Sequence, residues 1–304
     1  MRTNSIIGLL AATPLLVGAA EPLRLGATSP WVLDYAADSC KLSRQFGTDK
    51  NITVLQFEST APGELSMLVI GKSVRTTFGA VPAKFLPLQD KGIMGEPQTA
   101  TDNQPAVLWT QMFLLPLSFL ERLGDKASAQ KLDPAIRPPA TNPDDRAAER
   151  ATRQAFVQAV KEVEIDVRRN RPLILETGSL GEAIKMFDKC SRDSLRDWGV
   201  DPDVEDQIVR PVWAPNPHSW FSASDYPLKM GRNGEESEVR VRLLVDSAGN
   251  ATKCTSLSHY DEPIFNTTVC DIFMKRAKFE PAELADGTKV PSYYINTIVF
   301  QLPR

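Results

Sequence analysis

The sequence predicts an α+β protein made of two folded units behind an N-terminal leader. Three observations predict that class. Short apolar runs of period two recur between Ser39 and Ile70, which is the signature of strands. Two stretches of helical period, from Asp144 to Val160 and from Ser179 to Trp198, come after them in the chain. From Tyr226 onward the same mixture is repeated on a smaller scale, with strands on both sides of one helix. A chain of 304 residues is long enough to bury two such cores.

Composition narrows the function. Lys and Arg number 35 against 38 Asp and Glu, so the net charge is -3 and no basic excess exists to neutralise phosphates; nucleic acid is not an expected partner. Hydrophobic content of 42% with 24% charged residues is that of a folded protein. Arg2, the apolar run Ile6 to Val17 and the small residues Gly18-Ala19-Ala20 before Glu21 have the layout of a secretory signal peptide over residues 1–20. The run is interrupted by Thr13-Pro14 and falls short of the ~20 residues a membrane-spanning helix needs, so cleavage and export to the periplasm are expected, with an uncleaved inner-membrane anchor as the alternative. No later segment reaches spanning length; Leu108 to Leu120 comes nearest and is broken by Thr110-Gln111 and Pro116.

Export makes disulfides the expected state of Cys40, Cys190, Cys254 and Cys270. Four cysteines allow three pairings, and the sequence alone does not choose among them. Grouping by unit favours Cys254–Cys270 and Cys40–Cys190 over the alternatives, which include free buried thiols. A zinc site is disfavoured, because no Cys-x-x-Cys occurs and His218 and His259 are the only histidines.

In the upstream unit, residues 25–200, Trp31 to Tyr35, Ser39 to Phe46, Asn51 to Glu58 and Leu65 to Ile70 read as an antiparallel meander with a turn at Ala61-Pro62-Gly63. Gly79 to Pro105 shows recurrent Pro and Gly without a period and reads as a long loop with room for one short strand. Val107 to Leu115 is a strand or the start of a buried helix, and Asp133 to Pro143 is a proline-punctuated loop. Asp144-Asp145 then open a helix whose apolar stripe is Ala151, Ala155, Phe156, Ala159 and Val160. Val163 to Val167 and Pro172 to Leu175 are strands. A second helix, capped by Ser179, turns Leu180, Ile184, Phe187 and Cys190 inward and ends at Trp198-Gly199. The expected unit is one antiparallel sheet with two helices.

Residues 201–224 carry Pro202, Pro211, Pro215 and Pro217 and read as an interdomain linker, although Trp213, Trp220 and Phe221 imply that part of it packs on a domain. Within 225–304, Val239, Val241, Leu243 and Val245 point one way from a strand and Glu238, Arg240 and Arg242 the other, so one face is expected to be packed and one solvated. Asp246 to Asn250 is a turn, Ala251 to Leu257 a second strand bearing Cys254, and Pro263 opens a helix with Asp261 as cap. Phe265, Val269 and Phe273, flanked by Ile264 and Ile272, form the stripe that packs on the sheet. Ser292 to Leu302 completes a three-stranded antiparallel sheet under that helix.

Tyr226-Pro227, Val239/Val241, Asp246/Gly249, Arg276/Phe279/Pro281/Ala282 and Gly287/Val290 occur in this order. They match a Tyr-Pro start, a Val-x-Val strand, an Asp-x-x-Gly turn, an Arg-x-x-Phe-x-Pro-Ala segment and a closing Gly-x-x-Val strand. Over residues 224–303 the chain thus resembles the C-terminal domain of the TonB energy-transducer family, which in Gram-negative bacteria contacts outer-membrane receptors. Members of that family typically carry an uncleaved N-terminal membrane helix and a long Pro-Lys/Pro-Glu tether. Here the leader reads as cleavable and a folded unit stands in place of the tether. The resemblance does not extend to the upstream unit.

No nucleophile elbow, phosphate loop or dinucleotide fingerprint is present, and Asp144-Asp145 and Glu235-Glu236 are more simply helix-start and turn charges. The expectation is an exported, non-enzymatic envelope protein without cofactor or metal. Its TonB-like module would bind a protein, an outer-membrane receptor or another envelope component, by strand addition along Tyr293, Tyr294, Ile295, Asn296, Thr297 and Ile298. The alternatives are a membrane-anchored energy transducer, and an enzyme of unknown chemistry in residues 25–200 docked through the module.

Overall fold

The structure is a computed structural model; it describes residues 21–36, 38–62, 64–75, 79–100, 102–110, 112, 141–167, 171–257 and 263–303. The leader, most of the expected loop at 133–143, His259 and the proposed cap Asp261 lie outside the described residues. Ten strands build the upstream unit: β1 (Leu23–Gly26), β2 (Val32–Tyr35), β3 (Cys40–Phe46), β4 (Thr53–Ser59), β5 (Ser66–Ile70), β6 (Val81–Leu86), β7 (Ile93–Thr99), β8 (Pro105–Trp109), β9 (Glu162–Ile165) and β10 (Leu173–Glu176). They form one sheet in the order β1-β10-β9-β6-β7-β8-β5-β4-β3-β2. Each neighbouring pair is antiparallel except β1 and β10, which run parallel. Beyond β1 the chain returns to β3, where Ala27 bridges Phe46 and the Thr28 N–H reaches the Gln45 carbonyl at 2.9 Å, so the sheet curls back on itself.

Two of these strands correct the expectation of a long loop between Gly79 and Pro105. Val81, Ala83 and Phe85 are buried and alternate with half-buried Pro82, Lys84 and Leu86 in β6; β7 follows at Ile93–Thr99. The period is there, but Pro82 and Pro97 conceal it. Trp109 closes the core between β6 and β7, its indole N–H donating to the carbonyls of Val81 at 3.1 Å and Ile93 at 3.0 Å. The ring lies directly over Gly95, where an added Cβ would come within 2.5 Å of it. Two helices lie against the sheet, α1 (Pro143–Ala159) and α2 (Gly181–Asp197), and the core runs through Phe156, Val157, Val160, Ala183, Ile184 and Phe187. The expected alanine stripe of α1 is only partly right. Phe156 and Val160 are buried together with Val157, whereas Ala151, Ala155 and Ala159 are exposed. Apolar methyls contribute less on burial than a phenyl ring does, so the helix turns Phe156 inward and leaves the alanines to water. Gly199, at φ 81, ends the turn after α2 as the left-handed residue expected there.

The second unit begins earlier than its strand pattern suggests. In 201–224, α3 (Pro202–Glu205) is followed by β11 (Ile208–Arg210), which pairs with β14 (Ala282–Leu284) and through it β15 (Lys289–Val290). Trp213 bridges Glu280, and Ile208, Val212, Ala214 and Trp220 join the second core. The aromatics of this proline-rich stretch are therefore structural, with Trp220 edge-on to both Phe273 and Phe279. A short helix, α4 (Leu228–Asn233), separates Tyr226-Pro227 from the first long strand.

The main sheet is β13-β12-β16, made of β12 (Ser237–Val245), β13 (Ala251–Ser256) and β16 (Ser292–Phe300), with α5 (Pro263–Arg276) packed on one face. Val239, Val241, Leu243 and Val245 meet Phe265, Val269, Ile272 and Phe273 there, and each fully buried side chain of this size contributes about 1.5–3 kcal/mol. Ile264 faces outward. The Asp246–Asn250 turn is held by the Asp246 carboxylate, which accepts from the N–H groups of Ala248 at 2.9 Å and Asn250 at 2.8 Å. Gly249 sits at φ 84 with its carbonyl accepting the Phe279 N–H at 3.0 Å. A Cβ there would lie 2.0 Å from the Phe279 carbonyl oxygen, so only glycine allows the turn to clasp the segment after α5.

Candidate functional site

The expected partner strand, β16, lies at the edge of its sheet. It pairs along its whole length with β12, from Ser237↔Phe300 to Val245↔Ser292, and no further strand of the described residues pairs with its other side. Which of its main-chain groups face outward follows from parity. The Leu257 N–H donates to the Arg240 carbonyl at 2.8 Å, so Arg240 and, by alternation, Arg242 and Leu244 aim their main-chain groups at β13. Val239, Val241, Leu243 and Val245 then aim theirs at β16, bonding Ile298, Asn296, Tyr294 and Ser292. What is left for the outer edge are the main-chain groups of Tyr293, Ile295, Thr297 and Val299. One of them is already guarded: the Asn296 side-chain oxygen accepts the Thr297 N–H at 2.7 Å.

The six predicted residues divide by face. Tyr294, Asn296 and Ile298 stand opposite Leu243, Val241 and Val239 and so share the α5 face, where the Tyr294 ring lies 5.0 Å from Phe279. The Asn296 amide donates to the Tyr294 hydroxyl at 3.3 Å. Tyr293, Ile295 and Thr297 stand opposite Leu244, Arg242 and Arg240 on the other face.

That second face is solvated at its far end, where Glu238 and Val299 are exposed, but not over Arg240 and Arg242, and there the sequence expectation is corrected. The upstream unit sits on it. Arg242 retains only 2% of its side-chain exposure. It donates to an Asp38 carboxylate oxygen at 3.0 Å and to the Thr60 carbonyl at 3.1 Å, and its guanidinium lies 3.6 Å from the centre of the Trp198 ring. Arg240 pairs with Glu64, and the Tyr293 hydroxyl donates to the Pro62 carbonyl at 3.3 Å while its ring stands edge-on to Trp198. At the start of β16, the Ser292 hydroxyl donates to Glu205 at 2.7 Å. Alternation of Arg with Val signals a two-faced strand but not what covers the polar face. Asp38, Glu64 and Trp198 had no local signal of this role; Trp198 read only as the end of a helix.

The electrostatics follow from this burial. Desolvation pulls the Arg242 guanidinium down from its ordinary value, and the Asp38 charge opposes the pull. Burial pushes the Tyr293 phenol and the Glu205 carboxyl up, Glu205 against the Ser292 hydrogen bond that favours its charged form. Elsewhere in the upstream unit, burial also raises Asp188, which Arg153 of α1 clamps with bonds of 3.0 and 2.9 Å across to α2. This pair ties two helices together. Among the described residues no group of three His, Cys, Asp or Glu side chains could hold a metal ion, and no helix is long and apolar enough to cross a membrane.

Both disulfides pair within their units. Cys40–Cys190 joins β3 to α2, and Cys254–Cys270 joins β13 to α5. The family-motif residue Arg276 closes the second unit, its guanidinium donating to both carboxylate oxygens of Asp225 at 2.8 Å and to the Trp220 carbonyl at 2.9 Å.

No curated protein matches the chain significantly. The family model described as the Gram-negative bacterial TonB protein C-terminal matches residues 222–302, the stretch that holds β12, β16 and α5.

Proposed function

We propose that this protein is exported to the envelope of a Gram-negative cell, where its TonB-like unit holds a protein partner by strand addition to β16. The supporting observation is the parity of that strand. Tyr293, Ile295, Thr297 and Val299 turn their main-chain groups to the outer edge, ready to bond an extended segment. Affinity would come from those main-chain bonds, and selectivity from side-chain neighbours on the two faces. The partner is an outer-membrane receptor or another envelope protein, and the protein itself is not an enzyme. Release from a cleaved leader would leave it periplasmic; the N-terminal residue of the mature protein, Glu21 or Met1, distinguishes this from an anchored transducer.

Ile295→Pro is the specific test. Proline removes an N–H that faces away from β12 and is tolerated on an edge strand, so the sheet survives while the outer ladder loses a donor. Capture of the envelope partner by the tagged protein is expected to drop at least about tenfold, the factor that one lost bond of about 1.4 kcal/mol sets. Capture at wild-type level by a variant with an unchanged circular dichroism spectrum would rule out strand addition.

A further inference from the structure

We propose that the upstream unit is a brake on the TonB-like edge, seated through Arg242 and released when a partner strand takes β16 along its full length. The inference rests on the strand-addition reading above. The Arg242 guanidinium is held by the upstream unit, through Asp38, the Thr60 carbonyl and the Trp198 ring. The same seat holds the start of β16, where the Tyr293 hydroxyl is bonded to the Pro62 carbonyl. At the other end of the strand Val299 is 63% exposed. Thr60, Pro62, Glu64 and Trp198 therefore cover the polar face at the start of β16, and its far end stands open.

An added strand would lie about 4.8 Å beyond β16, with alternate side chains standing on the face that Trp198 and Pro62 occupy. Near Val299 those side chains meet solvent; near Tyr293 they meet the seated upstream unit. A short partner segment pairs with the open end alone, and a longer one needs the seat to open. The seat is suited to opening. It is built of ion pairs and hydrogen bonds around one indole, and the Trp198 indole N–H is buried in it without a hydrogen-bond partner among the described residues. Polar interfaces of this kind separate more readily than apolar cores.

The test uses the full chain carrying Asp38→Asn and Glu64→Gln together. Both carboxylates keep about a third of their exposure, 35% and 37%, so their loss weakens the seat without opening a core. The probe is a fluorescent peptide copying Ser237–Val245, the strand whose side-chain pattern already matches β16. If the open seat is a minor state of about 10% in the native chain, the variant binds the peptide about tenfold tighter, and adding Ile295→Pro abolishes binding. Equal affinity for the native and loosened chains, with loss at Ile295→Pro, overturns the brake and leaves strand addition standing. No binding to the loosened chain also overturns the brake. Binding indifferent to Ile295→Pro overturns strand addition itself.

Discussion

Arg242 shows at the scale of one residue how a charge can hold two units together. A buried guanidinium is costly unless each of its donors is used, and here a carboxylate, a carbonyl and an indole face share it. Breaking a buried pair costs about 3–5 kcal/mol, but Asp38 is about a third exposed and regains water. Arg242→Ala is therefore expected to destabilise the chain by about 1–3 kcal/mol in urea unfolding, more than any surface arginine. Asp225 makes a pH-dependent counterpart. The Arg276 guanidinium first, then the Ser222 hydroxyl and N–H, hold its carboxyl well below the ordinary carboxylate range. Since folding lowers this value, its contribution is complete above about pH 4 and is lost as pH falls further. Asp225→Asn should lower the thermal midpoint at pH 7, and the gap from wild type should close toward about pH 2. A gap that persists undiminished in acid would remove Asp225 from the account. Arg276 was legible as a motif residue, but Asp225, 51 positions away, was not.

At the scale of elements, pattern carried as far as local periodicity reaches. The meander β2 to β5, both helices of the upstream unit and the β12, β13, β16 sheet under α5 follow from alternation and apolar stripes. The misreadings have local causes. Prolines at 82 and 97 hid β6 and β7, because a strand tolerates proline where its N–H is not needed for pairing and the residue still reads as a breaker. In α1, the alanines count as apolar in a stripe but gain little from burial, so larger neighbours set the rotation. The two disulfides differ as elements of stability. They span 150 and 16 residues, and loop-closure entropy assigns them about 5 and about 3 kcal/mol. Replacing Cys40 and Cys190 by alanine should thus lower unfolding stability by more than replacing Cys254 and Cys270. The reverse order in guanidinium unfolding would show that native packing around the bridges, and not chain entropy, sets their worth.

On the scale of the whole molecule, the sequence carries no sign of how its first and last parts meet. Arg240 and Arg242 alternate with valines just as they would on a solvated face; the difference lies in Asp38, Glu64 and Trp198, more than 40 positions away. Long-range complementarity of this kind leaves no periodic trace. Residues 201–224 were legible in composition and not in role: Ile208 and Trp220 belong to the second core, and Arg192 of α2 holds Asp203 and Asp206 at 2.7 Å each, fastening α3 to the upstream unit. Among the described residues, the resulting assembly leaves β16 with one paired edge and one free. Its free edge is the surface on which the proposed function depends. Residue-resolved amide hydrogen exchange on the full chain, alone and in complex with its captured envelope partner, tests that claim most directly. The Ile295 and Val299 amides are expected to exchange rapidly in the free protein and to become protected in the complex, while Asn296 and Ile298, already bonded to β12, are slow in both. Protection that appears on β13 or in the upstream unit, with Ile295 and Val299 unchanged, would contradict it.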